Sequence, residues 1–182
     1  AISKSREPMY EISARSPADV IWCGDNIDGV LVKPRLFEQY FMPEYEKMAK
    51  PIHRQGKLFA SHMDGRVDVL KDLIAQTPLD IVEGLHPPPM GDLPIGEALS
   101  LWKDKVVWMG FAGSVYTLGP EATKKHTLEL LREVLPGDRL TIAMSTENLV
   151  SNENLRMVTS VLENVDLPLT GEKIGVIEKS LG

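Results

Sequence analysis

The chain has 182 residues, with 20 Lys and Arg against 26 Asp and Glu for a net charge of −6, and is 43% hydrophobic and 25% charged. Those fractions exclude a disordered chain, a collagen and a disulfide scaffold, and the length predicts a single domain or a large part of one. With a pI near 5.3 and scattered Lys and Arg there is no basic stripe to neutralise phosphates, so neither nucleic acid nor an anionic lipid surface is an expected partner.

The N-terminal AISKSREPMYEISARS lacks the apolar centre of a signal peptide, and no apolar run reaches the roughly 18 to 20 residues that span a bilayer. A cytoplasmic protein is expected, and the single Cys23 fits a reducing compartment. MYEISARS reads as the end of a helix. Five short segments rich in β-branched or aromatic residues then follow in order: ADVIWCGDN, KLFASHMDG, LDIVEGLH, KVVWMGFAGSV and RLTIAMSTEN. They start about 22 to 37 residues apart, the length of a strand, a crossover helix and a loop.

The connecting stretches carry helical spacing. RLFEQYFMPEYEKMAKPIHRQG places Phe37, Tyr40, Phe41, Met48 and Ile52 on one face, with Pro43 expected to divide it and Gly56 to stop it. PEATKKHTLELLREVLPGD presents Thr127, Leu128, Leu131, Val134 and Leu135, opening on Pro120 and closing at Pro136-Gly137. A final helix is expected over Asn152 to Asn164, with Leu155, Val158 and Leu162 inward. Alternating strands and helices require a mostly parallel sheet covered by helices, doubly wound or closed as a barrel. No G-x-G-x-x-G or Walker-type loop follows any strand, which removes support from the nucleotide-binding open sheets. A whole eight-stranded barrel takes roughly 250 residues, so five units of about 31 account for about 155 and suggest a partial barrel.

In such folds functional groups collect at the C-terminal ends of the strands. Those ends carry Cys23, Asp25, Asn26 and Asp28; His62 and Asp64; Glu83 and His86; Ser114 and Tyr116; and Ser145, Thr146, Glu147 and Asn148. In SHMDG, residues two apart on a strand share a face, so His62 and Asp64 are candidate ligands of a divalent metal, with Glu147 first among third ligands and His86 and Glu83 next. The alternative is a hydrogen-bonded pair capping the strand. DNIDG is either a substrate loop, through Asp25 and Asn26, or a turn built by Asx residues and Gly. HPPPMGD is expected to be extended and closed by a Gly-Asp turn. Cys23 reads as a structural thiol, His53 and His126 as solvated surface residues, and Met63, Met109 and Met144, all near strand ends, as core filling or the lining of a site.

Taken in order, ADVIWCGDNIDG, KPRLFEQYFMPEYEKM, KLFASHMDGRVDVL, LDIVEGLHPPPMGD, VVWMGFAG and NENLRMV resemble the C-terminal part of the uroporphyrinogen decarboxylase superfamily, from Met9 to Leu169. The resemblance implies an α/β fold, a partial TIM-type (β/α) barrel of about five parallel strands with crossover helices, similar to strands four to eight of the full barrel. Residues 1–182 are then one such domain, incomplete at the N-terminus, which associates with an N-terminal half or forms an oligomer.

In the methyltransferase branch a His-x-Cys-Gly motif binds zinc together with a later Cys. Here His62 and Gly65 are kept, Asp64 stands in the place of the Cys, and MSTEN occupies the region of the second thiolate. The resemblance thus implies metal-assisted methyl transfer involving a corrinoid protein or a thiol, with zinc or another divalent ion on His62, Asp64 and Glu147. Asp25 or Glu83 would orient the substrate or move a proton, with Asn26, His86 and Arg66 in substrate contacts. The decarboxylase branch implies instead a cofactor-free reaction on an acidic tetrapyrrole, but its late histidine has no match in MSTEN. A non-catalytic half-barrel that serves as an interaction module is the third reading.

Overall fold

The computed structural model describes residues 2–144 and 150–181. Five strands, β1 (Val20–Ile27), β2 (Leu58–Met63), β3 (Ile81–Leu85), β4 (Val106–Gly110) and β5 (Leu140–Ala143), form one sheet in sequential order. Every neighbouring pair is parallel. A parallel neighbour cannot be reached by a tight turn, so each connection crosses through helical structure. Helix α1 (Ile2–Ala14) precedes β1; α2 (Pro34–Leu36), a π-helical segment (Phe37–Phe41) and α3 (Met42–Arg54) link β1 to β2. A 3-10 turn (Asp68–Leu70) and α4 (Lys71–Ala75) link β2 to β3, α5 (Ile95–Leu101) links β3 to β4, and α6 (Gly113–Tyr116) and α7 (Pro120–Glu133) link β4 to β5. Helices α8 (Asn152–Leu162) and α9 (Gly171–Ser180) follow. The protein is an α/β fold whose single five-stranded parallel sheet and crossover helices make a partial TIM-type barrel.

Alternation along the strands sorts the side chains into two faces. Phe59, Ser61 and Met63 of β2, Val82 of β3 and Val107 and Met109 of β4 are buried on the helix side. There they join Tyr45 and Ile52 of α3, Ile74 of α4 and Ala98 of α5 in the main core. The opposite face is only partly covered: Trp22, Leu58 and Trp108 are 54%, 44% and 38% exposed. The N-terminal ends of the strands are closed by cations on carbonyls. Lys105, buried, donates to Thr77 O and Leu79 O, and Arg139 donates to the carbonyls of Leu99, Trp102 and Lys105.

Three expectations are corrected. Pro43 does not divide its helix: helical turns run from Pro34 to Arg54, and the π-helical segment, closed by Met42 N–H on Phe37 O, lies directly ahead of the proline. The wider turn ends where the ladder loses a donor, since Pro43 has no N–H to give. HPPPMGD is not extended: Met90 N and Gly91 N both return to Pro87 O, because proline's fixed φ suits turn positions as well as extended ones. The helix at Asn152 is not the final one. Thr170 caps α9 through the Lys173 amide, and Ile174 and Ile177 pack on Leu128, Leu131, Val161 and Leu169 as a second apolar cluster.

Candidate functional site

The sheet register sets the site. His62 on β2 stands opposite Glu83 on β3, and Glu83 opposite Trp108 on β4, so the three form one row on the uncovered face. His62 Nδ1 lies 2.6 Å from Glu83 Oε2, and the same oxygen accepts from Trp22 Nε1 at 2.8 Å. Trp22 and His62 meet edge to face, with ring centroids 5.9 Å apart and planes at 62°. Glu83 has no proton to donate as a carboxylate, so it fixes His62 as the Nδ1–H tautomer. Among the described residues His62 Nε2 has no hydrogen-bond partner, and it is not among the buried unpaired atoms. A basic nitrogen is thereby offered to the open face, with a carboxylate behind it.

Glycines make room for the two imidazoles. A Cβ at Gly84, which has φ +84°, would fall 2.6 Å from the His62 ring. His86 lies against Gly110 on the next strand in the same way. Its Nδ1 donates to Gly84 O at 2.8 Å and stands 3.4 Å from Asp64 Oδ1, with Asp64 half exposed. The end of β2–β4 therefore holds two histidines, each with its own carboxylate: His62 with Glu83, and His86 with Asp64.

The other candidates fall elsewhere. Asp25 turns to the helix side, where its Oδ2 accepts from Tyr45 Oη and Ser61 Oγ at 3.0 Å each, and those hydroxyls are 2.8 Å apart. It is not brought to Glu83. Asn26, exposed, takes a left-handed φ of 53°. Asp28 receives Val30 N at 2.5 Å and Arg66 N at 3.4 Å, while Gly29 N bonds Arg66 O, so the DNIDG loop contains the Asx turn and is stapled to the β2 loop. The exposed Arg66 contributes its backbone there. His62 and Asp64 do not meet, and among the described residues no three His, Cys, Asp or Glu side chains cluster closely enough to hold a metal ion. Glu147, with Ser145, Thr146 and Asn148, lies outside the described residues.

Cys23 is half buried, and burial first, then the Asp25 charge, pushes its thiol from 9.0 up to about 12, in keeping with a structural role. It lines a cleft of about 680 Å³ between α1, β1 and α3, together with Arg6, Tyr10, Tyr45 and Met48. Asp25 and Glu44 also line that cleft, whereas none of the four histidines does. His53 is 40% exposed and bonded at 2.7 Å to Asp80. His126 departs from the surface role expected of it, with its Nε2 buried. Trp22 and Trp108 did not emerge from the strand-end reading, although each shares the strand parity of an inward residue.

No family model matches the chain, and no curated protein matches it. Among solved structures it is similar to a methyltransferase from Methanosarcina mazei, at 14% identity and a TM-score of 0.64 over 86% of this chain. The chain spans 45% of the length of that structure. The likeness is one of fold: a methyltransferase-like α/β arrangement. Among the described residues no helix is long and apolar enough to cross a membrane.

Proposed function

We propose that the chain carries the small-molecule site of a methyltransferase-like enzyme, with a thiol or a corrinoid protein as the other party to the methyl transfer. The observation that carries this reading is His62, clamped through Nδ1 by Glu83 and open at Nε2 on the uncovered face of a fold shared with a methyltransferase. A thiol acceptor is a poor nucleophile until its proton is removed. His62 Nε2 takes that proton, and Glu83 stabilises the imidazolium that results. The thiolate sulfur then forms its bond to the methyl carbon while the donor keeps the electron pair of the bond that breaks. Asp64 and His86 stand at the mouth of the same strands as groups that contact the substrate.

A metal on His62, Asp64 and Glu147 is the competing arrangement. Its third ligand, Glu147, lies outside the described residues, so no step is assigned to it. The test is formation of a methyl thioether from methylcobalamin or a methylated corrinoid protein and a small thiol, beside metal content by plasma mass spectrometry. His62→Asn should lower the rate by about 10²- to 10⁴-fold, the usual span for a lost general base, with no metal in either protein. Stoichiometric metal lost in a His62→Ala, Asp64→Ala double variant would replace the general base with a metal ligand. Absence of any thioether from the unaltered chain would overturn the methyl-transfer reading.

A further inference from the structure

We propose that the open face of the sheet binds a methylated onium group, a quaternary ammonium or a sulfonium, between the indoles of Trp22 and Trp108, with the Glu83 carboxylate as its counter-charge. The chain has three tryptophans, and the contrast among them is informative: Trp102 is fully buried, whereas Trp22 and Trp108 are 54% and 38% exposed. Both exposed indoles flank one carboxylate. Trp108 is the cross-strand neighbour of Glu83, and Trp22 reaches it from β1 through Nε1. Trp22 is also held in place, since it meets His62 edge to face and its benzo end lies over Gly24, where an added Cβ would come within 3.0 Å of Cη2. The indole is thus fixed through its ring and its N–H, and it is still 54% exposed.

The interior of a (β/α) barrel is ordinarily filled by branched aliphatic side chains. A carboxylate set between two half-exposed indoles is a different composition, and it matches the parts that recognise diffuse cations. The charge favours a cation: Glu83 and the half-exposed Asp64 set two carboxylates at the same strand ends. Glu83 Oε2 already accepts from His62 and Trp22, which fixes the carboxylate between the indoles as a counter-charge. The two indole faces then favour the kind of cation that needs no hydrogen bond. An onium carries no N–H, needs only charge and a π face, and loses little hydration on entry. The recognition stands by itself; its use as a methyl donor rests on the methyl-transfer reading.

The test is a titration of the full chain with choline, followed by calorimetry and by tryptophan fluorescence, against the neutral isostere of choline in which carbon replaces the ammonium nitrogen. Choline should bind saturably and about tenfold or more tightly than the isostere, the margin expected of a partly desolvated cation–π site. Trp22→Leu, Trp108→Leu and Glu83→Gln should each weaken choline, and Trp22→Phe, which keeps a ring, should fall between Trp22→Leu and the unaltered chain. Circular dichroism separates lost binding from lost fold. Equal affinity for the two ligands, no binding of choline, or folded variants with unchanged affinity would overturn the proposal. Choline binding without any thioether formation would overturn the methyl-transfer reading and leave this one standing; thioether formation without choline binding would do the reverse.

Discussion

His126 sits on α7 with its ring edge-on to Phe111, centroids 5.3 Å apart at 85°, and its Nε2 buried without a partner among the described residues. Burial lowers its pKa below the ordinary 6.5, against the opposing pull of the Glu129 and Glu133 carboxylates. The folded chain thus holds this imidazole neutral at pH values where the unfolded chain takes up a proton. The stability it contributes is present above pH 6.5 and is lost as pH falls below that value, because the unfolded state then binds the extra proton. His126→Leu should remove that linkage. Between pH 7 and pH 5 the urea midpoint of the variant should fall by less than that of the unaltered chain. Identical falls would mean that His126 takes up its proton as readily in the folded chain as in the unfolded one. Asp25 teaches a related lesson, for its parity along β1 groups it with Ile21 and Cys23 toward the helices, and the hydroxyls of Tyr45 and Ser61 occupy its carboxylate.

At the scale of the element, the ends of β2 and β3 depend on a glycine. Gly84 combines a left-handed φ with the close approach of the His62 ring, so Gly84→Ala brings backbone strain and a displaced imidazole together. The variant should lose about 1–3 kcal/mol of stability in urea unfolding, in the range of one strained residue. The nitrogen chemical shifts of His62 should also lose the signature of a single Nδ1–H tautomer. Retention of that signature would show that Glu83, and not the seat on Gly84, holds the ring. The five strands were legible in the sequence because short β-branched runs and their spacing leave few other arrangements. His62 and Glu83 were legible singly as strand-end residues, but their pairing was not. Parity along one strand states which face a residue takes and says nothing of which residue stands opposite on the next strand; only the register aligns His62 with Glu83. Asp64 illustrates a second limit of parity: β2 ends at Met63, so alternation no longer governs Asp64, which stands by His86. Helix α9 went unseen because Gly171 and Gly175 dilute a short stretch whose apolar positions reduce to Ile174, Val176 and Ile177.

At the scale of the molecule, the sheet has two edges, β1 and β5, each with a single neighbouring strand among the described residues. Its uncovered face adds the apolar surface of Trp22, Leu58 and Trp108, and the cleft of about 680 Å³ runs along the β1 edge. Unpaired parallel edges beside exposed apolar side chains favour association, since pairing or covering them removes both costs at once. The 20.2 kDa chain should therefore sediment as a concentration-dependent mixture of monomer and larger species. Leu58 tests which surface is responsible. It is 44% exposed on the open face, at the start of β2 one strand in from the edge, and it is not part of the main core. Leu58→Lys places a hydrated charge on that face without opening a cavity, so the larger species should recede while stability shifts by less than about 0.5 kcal/mol, as for a surface substitution. Association undiminished by Leu58→Lys, yet abolished by a lysine on the β1 edge, would place the contact at the strand edge. A chain that stays monomeric at high micromolar concentration would show that the open face is tolerated in water, and that its tryptophans persist there for a ligand alone.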